Sequence, residues 1–230
     1  MLLHCTVTGS GQESLIFLHS GLQTGNLDFA FQREYFKRHY KVYAPDLRGH
    51  GKSYVKDLSL AKYFSDCVND LLETMDSYGI EKAHLIGCSL GGLIGLKFAK
   101  IHSDRLHSLI ISGITSTRPD HWNALQKKDA AHQAALLLDE QAVHYFDQLH
   151  LSDSKKFLQE TTETDWYPFE ETGDIRSIPC PALLLVGEEK AQEVRGVIDY
   201  PEMNDHFHVA VLPFAGHLVH QDQPISIRNL

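Results

Sequence analysis

The sequence predicts an α/β fold, a mostly parallel sheet flanked by helices, with a helical segment inserted in its second half. Three observations predict it. Short, continuous apolar runs of the kind that suit strands buried on both faces recur along the chain. The intervals between them are long enough for crossover helices, and one carries a clear helical stripe. From about residue 115 to residue 178 the strand signal stops while helical patterns persist, and it returns afterwards, so the segment interrupts one sheet and does not begin a second domain.

In chain order, Leu15-Ile16-Phe17-Leu18 is four apolar residues stopped by His19-Ser20-Gly21, and reads as the first buried strand. Lys41-Val42-Tyr43-Ala44, ending at Pro45, reads as the next. Tyr63, Cys67, Val68, Leu71, Leu72, Met75 and Tyr78 then recur at three- and four-residue steps, the stripe of an amphipathic helix. Ala83-His84-Leu85-Ile86 is a strand ending at Gly87, the apolar stretch Leu93–Ala99 a more fully buried helix, and Leu109-Ile110-Ile111 another strand. Within the insertion, Ala130–Leu138 and Ala142–Leu149 are helical. Strands resume at Ala182–Val186 and His208–Leu212.

A chain of 230 residues with 43% hydrophobic and 22% charged residues can bury a core of its own, and is expected to form one domain over 1–230. The formal net charge of -9 argues against nucleic acid or anionic membrane surfaces as partners, and favours a small molecule. No apolar run approaches the ~20 residues of a bilayer span. The start, Met1-Leu2-Leu3-His4-Cys5, lacks a signal-peptide pattern, so a cytoplasmic location is expected. Cys5, Cys67, Cys88 and Cys180 form no C-x-x-C pair, and the 15 histidines include no H-E-x-x-H, so neither a disulfide framework nor a metal site is expected.

The chemistry is signalled by Gly87-Cys88-Ser89-Leu90-Gly91, a G-x-S-x-G pattern lying between a strand and a helix. A strained turn there lifts the serine oxygen above the sheet, and flanking glycines remove Cβ atoms that would collide. Ser89 is the candidate nucleophile. Its place at a helix N-terminus lets the N–H of Leu90 donate to an oxyanion. Cys88, one residue before the apex, points into the packing layer and is expected to be a buried structural thiol.

With these residues the chain resembles the α/β-hydrolase superfamily over nearly its whole length. Leu18-His19-Ser20-Gly21-Leu22 resembles the His-Gly loop, which implies a second oxyanion N–H from Gly21 or Leu22. Asp46-Leu47-Arg48-Gly49-His50-Gly51-Lys52-Ser53 is similar to the family's D-x-R-G-x-G-x-S loop, whose role is structural. Gly216-His217, before Asp222-x-Pro224, is similar to the family's histidine loop, which makes His217 the general base, with His220 the substitute. The chain ends soon after Pro224, where family members usually continue into a final helix, so a reduced packing surface there is expected.

The resemblance implies acyl transfer to water from a carboxylic ester, needing no cofactor, beneath a helical cap over 115–178. Trp122, Tyr145, Phe146, Trp166, Tyr167 and Phe169 are candidates to line its pocket. Serine at the apex sets aside the branches with an aspartate nucleophile, such as epoxide hydrolases. Amide and carbon–carbon bond hydrolysis use the same constellation and stay open. The position where the family usually carries its acid, three residues after Gly187, is Lys190. Glu189 is the first candidate to orient His217, with Glu188, Glu193, Asp199 or no acid as alternatives. Lys190 also motivates a rival, a non-catalytic protein that binds a small ligand in the same pocket.

Overall fold

The computed structural model describes residues 1–163 and 165–228. Thr164, inside the expected insertion, and Asn229 and Leu230, at the end of the expected domain, lie outside the described residues. Among the described residues seven strands form one sheet: β1 (Cys5–Thr8), β2 (Ser14–Leu18), β3 (Lys41–Pro45), β4 (Ala83–Cys88), β5 (Leu106–Ser112), β6 (Ala182–Gly187) and β7 (Phe207–Leu212). Their spatial order is β1-β3-β2-β4-β5-β6-β7, all parallel except β1, which pairs antiparallel with β3.

The apolar runs supply the six parallel strands, and the inner ones have no need to alternate because they are covered on both faces, whereas the edge strand β7 exposes His208 and Val211. Ile16 and Leu18 face one core while Leu15 and Phe17 face the other. The edge strand β1 escapes that signal, because its residues are only partly buried and include Thr6 and Thr8. One face is covered by α2 (Leu60–Ser77) and α3 (Leu90–Ile101). The stripe residues Tyr63, Cys67, Val68, Leu71 and Met75 are buried in α2 as the periodicity requires, whereas Tyr78 sits at its C-cap and is exposed. The opposite face packs Phe29 and Phe36, around α1 (Ala30–Phe36), against β2, β3 and β4.

Between β5 and β6 the chain runs through α4 (Trp122–Leu138), α5 (Glu140–Leu149), α6 (Ser154–Glu163) and α7 (Phe169–Thr172). The loop after α5 fastens this segment to the glycine-rich loop after β3. Gly51 N–H donates to His150 Nδ1 at 2.8 Å, Leu151 N–H to the Gly51 carbonyl at 2.9 Å, and Val55 N–H to Ser152 Oγ at 2.9 Å. After β6 come α8 (Ala191–Val194) and α9 (Gly196–Met203), and after β7 the short α10 (Val219–Asp222) and α11 (Pro224–Arg228). Among the described residues no helix is long and apolar enough to cross a membrane.

The register brings the reactive loops together. Leu18 of β2 is level with Gly87 of β4, and Cys88 with Ser112 of β5, so the turns that begin at His19, Ser89 and Gly113 leave the same sheet edge side by side. The carboxyl ends of adjacent parallel strands are where a fold of this kind gathers its chemistry.

Candidate active site

Ser89 sits at the turn from β4 into α3 with φ 53° and ψ -116°, a conformation that L-residues adopt at a cost of about 1–3 kcal/mol. The surroundings hold it there. Its N–H donates to the Ser112 carbonyl at 2.9 Å, and its own carbonyl accepts the Leu93 N–H at 2.9 Å. Gly91 permits the turn: a Cβ there would lie 2.2 Å from the Leu18 carbonyl oxygen, so only glycine lets the elbow press against the end of β2. Cys88 points to the opposite face, fully buried, where desolvation pushes its thiol well above the ordinary range.

His217 lies in the loop after β7, and its ring reaches the elbow beside Gly113. A Cβ built on Gly113, whose φ is +65°, would stand 3.0 Å from His217 Cε1 and 3.1 Å from Ser89 N. Gly113→Ala is therefore expected to destabilise the fold by about 1–2 kcal/mol, through the left-handed backbone alone. It should also displace the imidazole, slowing modification of Ser89 by a fluorophosphonate more than the stability loss explains. Urea unfolding together with labelling rates would check this, and an unchanged labelling rate would contradict it.

The acid that meets His217 is Glu193, at 2.7 Å between Nδ1 and Oε1. This corrects the expectation for Glu189. Glu189 is exposed, and its N–H donates to the Ala215 carbonyl at 3.1 Å. Glu188 takes the Phe214 N–H at 2.6 Å, and Asp199 takes Ser116 Oγ–H at 2.6 Å and Arg195 Nε–H at 2.9 Å. The physical reason is the short helix α8, whose one turn folds the chain back after Lys190 and carries Glu193 inward to 2% exposure. Its Oε2 is buried without a hydrogen-bond partner among the described residues.

With Nδ1–H given to a carboxylate, the Nε2 lone pair of His217 is left to accept a proton. The expected oxyanion donors lie on two elements. Leu90 begins α3, so its N–H has no intrahelical acceptor. The loop after β2 forms a turn closed by Gln23 N–H to the Ser20 carbonyl at 3.2 Å, with Leu22 at φ 60°, and leaves the N–H groups of Gly21 and Leu22 outside that bond. His19 is buried. Its Nδ1–H donates to the Ser20 carbonyl at 2.8 Å, while its Nε2 accepts the Leu47 N–H at 2.8 Å, so it braces the turn against the loop after β3.

Asp46 in that second loop accepts N–H bonds from Gly25 and Lys52 at 2.9 Å each, and Arg48 forms a two-pronged pair with Asp70 at 2.7 and 3.1 Å. Both act as a structural tie. The aromatic residues of the insertion mostly pack on one another: Trp122 lies 5.2 Å from Tyr167 and 4.8 Å from Phe169 between ring centroids. Tyr145 is exposed, and Phe146 stacks on His150. Trp166, Tyr167 and Phe169 line a cleft of about 580 Å³ with Phe64 and Arg118, whose lining includes neither Ser89 nor His217.

An elbow serine, a buried acid and a histidine carried on separate loops at the carboxyl edge of such a sheet are the marks of the α/β hydrolases. The chain belongs to the Alpha/beta hydrolase family, which it matches over residues 3–227. A putative carbamate hydrolase, RutD of Caulobacter vibrioides, is 34% identical over 111 residues, a stretch that covers 48% of this chain and 40% of that protein. The match thus spans less than half of that relative's length. Human epoxide hydrolase 4 is 26% identical over 274 residues, covering 99% of this chain and 74% of that protein. The crystal structure of naproxen esterase from Bacillus subtilis superposes with a TM-score of 0.73 at 25% identity, covering 98% of this chain and 85% of that one.

Proposed function

We propose that the protein is a serine hydrolase that cleaves a small carboxylic ester or related acyl substrate through an acyl-serine intermediate. The observation that carries this reading is the 2.7 Å contact between His217 Nδ1 and the buried Glu193 carboxylate, beside the strained Ser89. Ser89 Oγ attacks the acyl carbon as its proton passes to His217 Nε2, and the N–H groups of Leu90 and Gly21 hold the oxyanion. His217 returns the proton to the leaving alcohol. It then takes one from water, which attacks the acyl-serine, frees the acid and restores Ser89. No metal or organic cofactor enters these steps.

The names of the similar proteins span carbamate, epoxide and ester chemistry, so the family does not select the bond. Serine at the apex favours an acyl substrate over an epoxide. Lys190 in the usual acid position motivates a ligand-binding alternative, and a carboxylate on His217 from Glu193 favours the catalytic reading over it. Incubation of purified protein with a fluorophosphonate, with the adduct located by mass spectrometry, tests the reading. Modification is expected on Ser89, absent in Ser89→Ala and strongly slowed in His217→Ala, together with turnover of p-nitrophenyl esters. A folded sample that is neither labelled nor active would overturn it.

A further inference from the structure

Two side chains left unused by this reaction form a buried pair beside it. His220, three residues after His217, is 2% exposed and cannot stand in as the base, because its Nε2–H donates to Asp28 Oδ1 at 2.7 Å. Its ring stacks on Phe29 with centroids 4.0 Å apart, and its backbone carbonyl accepts from Gln32 Nε2 at 2.8 Å. The ring gives up a partner at Nδ1, which is buried without one among the described residues.

Asp28, also 2% exposed, bonds to more than His220. Its Oδ2 accepts both the N–H of Ser20, at 2.9 Å, and the Oγ–H of Ser20, at 2.7 Å. Burial opposes a charge on Asp28, but the hydrogen bonds from His220 and Ser20 overcome it and hold the carboxyl well below the usual carboxylate range. Ser20 immediately precedes Gly21. The carbonyl of the Ser20–Gly21 peptide is fixed from the other side by His19 Nδ1–H and Gln23 N–H. In a trans peptide the Gly21 N–H points away from that oxygen, so these anchors set its direction.

A buried polar pair is a poor source of stability compared with apolar packing, which leaves its placement to be explained. We propose that Asp28 and His220 are positioning residues that fasten the oxyanion loop to the histidine loop. They hold the Gly21 donor and the His217 base in register over one acyl group. This rests on the acyl-transfer reading above, since it assigns the loops their roles. Asp28 aims Gly21 through Ser20, and His220 holds Asp28 from the segment that carries His217. Neither touches substrate.

The test compares His220→Leu, His220→Gln, Asp28→Asn and the double variant Asp28→Asn/His220→Leu. Glutamine keeps a nitrogen donor within reach of Asp28. With p-nitrophenyl acetate, His220→Leu and Asp28→Asn are expected to lose about tenfold or more in kcat with KM nearly unchanged, as a displaced donor requires. His220→Gln should recover most of the loss, and the double variant should be no worse than the poorer single one, because the pair acts as a unit. Hydrogen exchange read by mass spectrometry reports fastening without turnover: protection should fall together in residues 19–24 and 214–219 of both single variants. Wild-type kcat in the folded variants, or loosening of one loop only, would overturn the inference. Should His220→Leu not fold, Asp28→Asn and His220→Gln carry the same comparison. A wild-type protein unlabelled at Ser89 would refute the acyl-transfer reading, and the roles proposed here with it; the exchange data would then show only whether the two loops are joined.

Discussion

Replacing Glu193 by glutamine is expected to lower kcat on a p-nitrophenyl ester by about 10⁴-fold, the loss that neutralising the equivalent carboxylate causes in serine proteases. Two effects combine. The charge that stabilises the imidazolium disappears, and an amide NH₂ turned toward Nδ1 favours the tautomer with its proton on Nε2, which cannot accept one from Ser89. Turning the amide the other way leaves the NH₂ where Oε2 now lies buried without a partner. Glu189→Gln should stay within a few-fold of wild type, because that side chain is exposed and His217 is already paired with Glu193. Steady-state kinetics on the two variants decide the matter. An active Glu193→Gln beside an inactive Glu189→Gln would return the acid to Glu189.

The second large effect is a loss of stability in mild acid. His19, His50 and His150 form a buried cluster, with His50 lying 5.2 Å from His19 and 5.4 Å from His150 between centroids. Burial holds all three below the ordinary histidine range. Asp28 and Asp46 pull His19 upward, and Asp46 pulls His150 upward, without offsetting burial. Two of the rings must stay neutral for a further reason: His19 Nε2 accepts the Leu47 N–H and His150 Nδ1 the Gly51 N–H, and a protonated nitrogen would face a donor. The sign follows. Below about pH 6.5 the unfolded chain takes up protons that the native cluster refuses, so stability falls as pH falls. Each ring contributes at most about 1.4 kcal/mol per pH unit, a limit reached only while it is protonated in the unfolded chain and neutral in the native one, so the three together contribute at most about 4 kcal/mol per unit.

Above about pH 7.5 the cluster adds no slope. Half-buried His84 acts in the same direction. Urea unfolding at pH 7.5 and 5.5 measures the difference, and His50→Phe, which removes one titrating ring, should reduce the slope by about one proton's worth. Equal stability at the two pH values would show that the rings are protonated at no cost. Because His150 ties the insertion to the loop after β3, the same protonation should loosen residues 150–152 first.

The six parallel strands, the main helices and the turn that carries Ser89 could be read along the chain because their signals are local. A doubly covered strand is a continuous apolar run, an amphipathic helix repeats every three or four residues, and an elbow needs small residues beside its serine. That His217 lies in the loop after the last strand was legible from its place in the sequence. What the tertiary structure decided was everything that depends on where a short turn points. Lys190 occupies the position in which the family usually carries its acid, and the single turn of α8 brings Glu193 to His217 instead; four residues carry too little periodicity to reveal which side faces inward. The edge strand β1 and the helix α1 were missed because one is half-buried and the other spans only seven residues. Asp28 and His220 were separated further still, by 192 positions. A lone acid between Leu27 and Phe29 and a second histidine in a loop have no local property that relates them. Only the packing of α1 against the C-terminal segment brings them within a hydrogen bond.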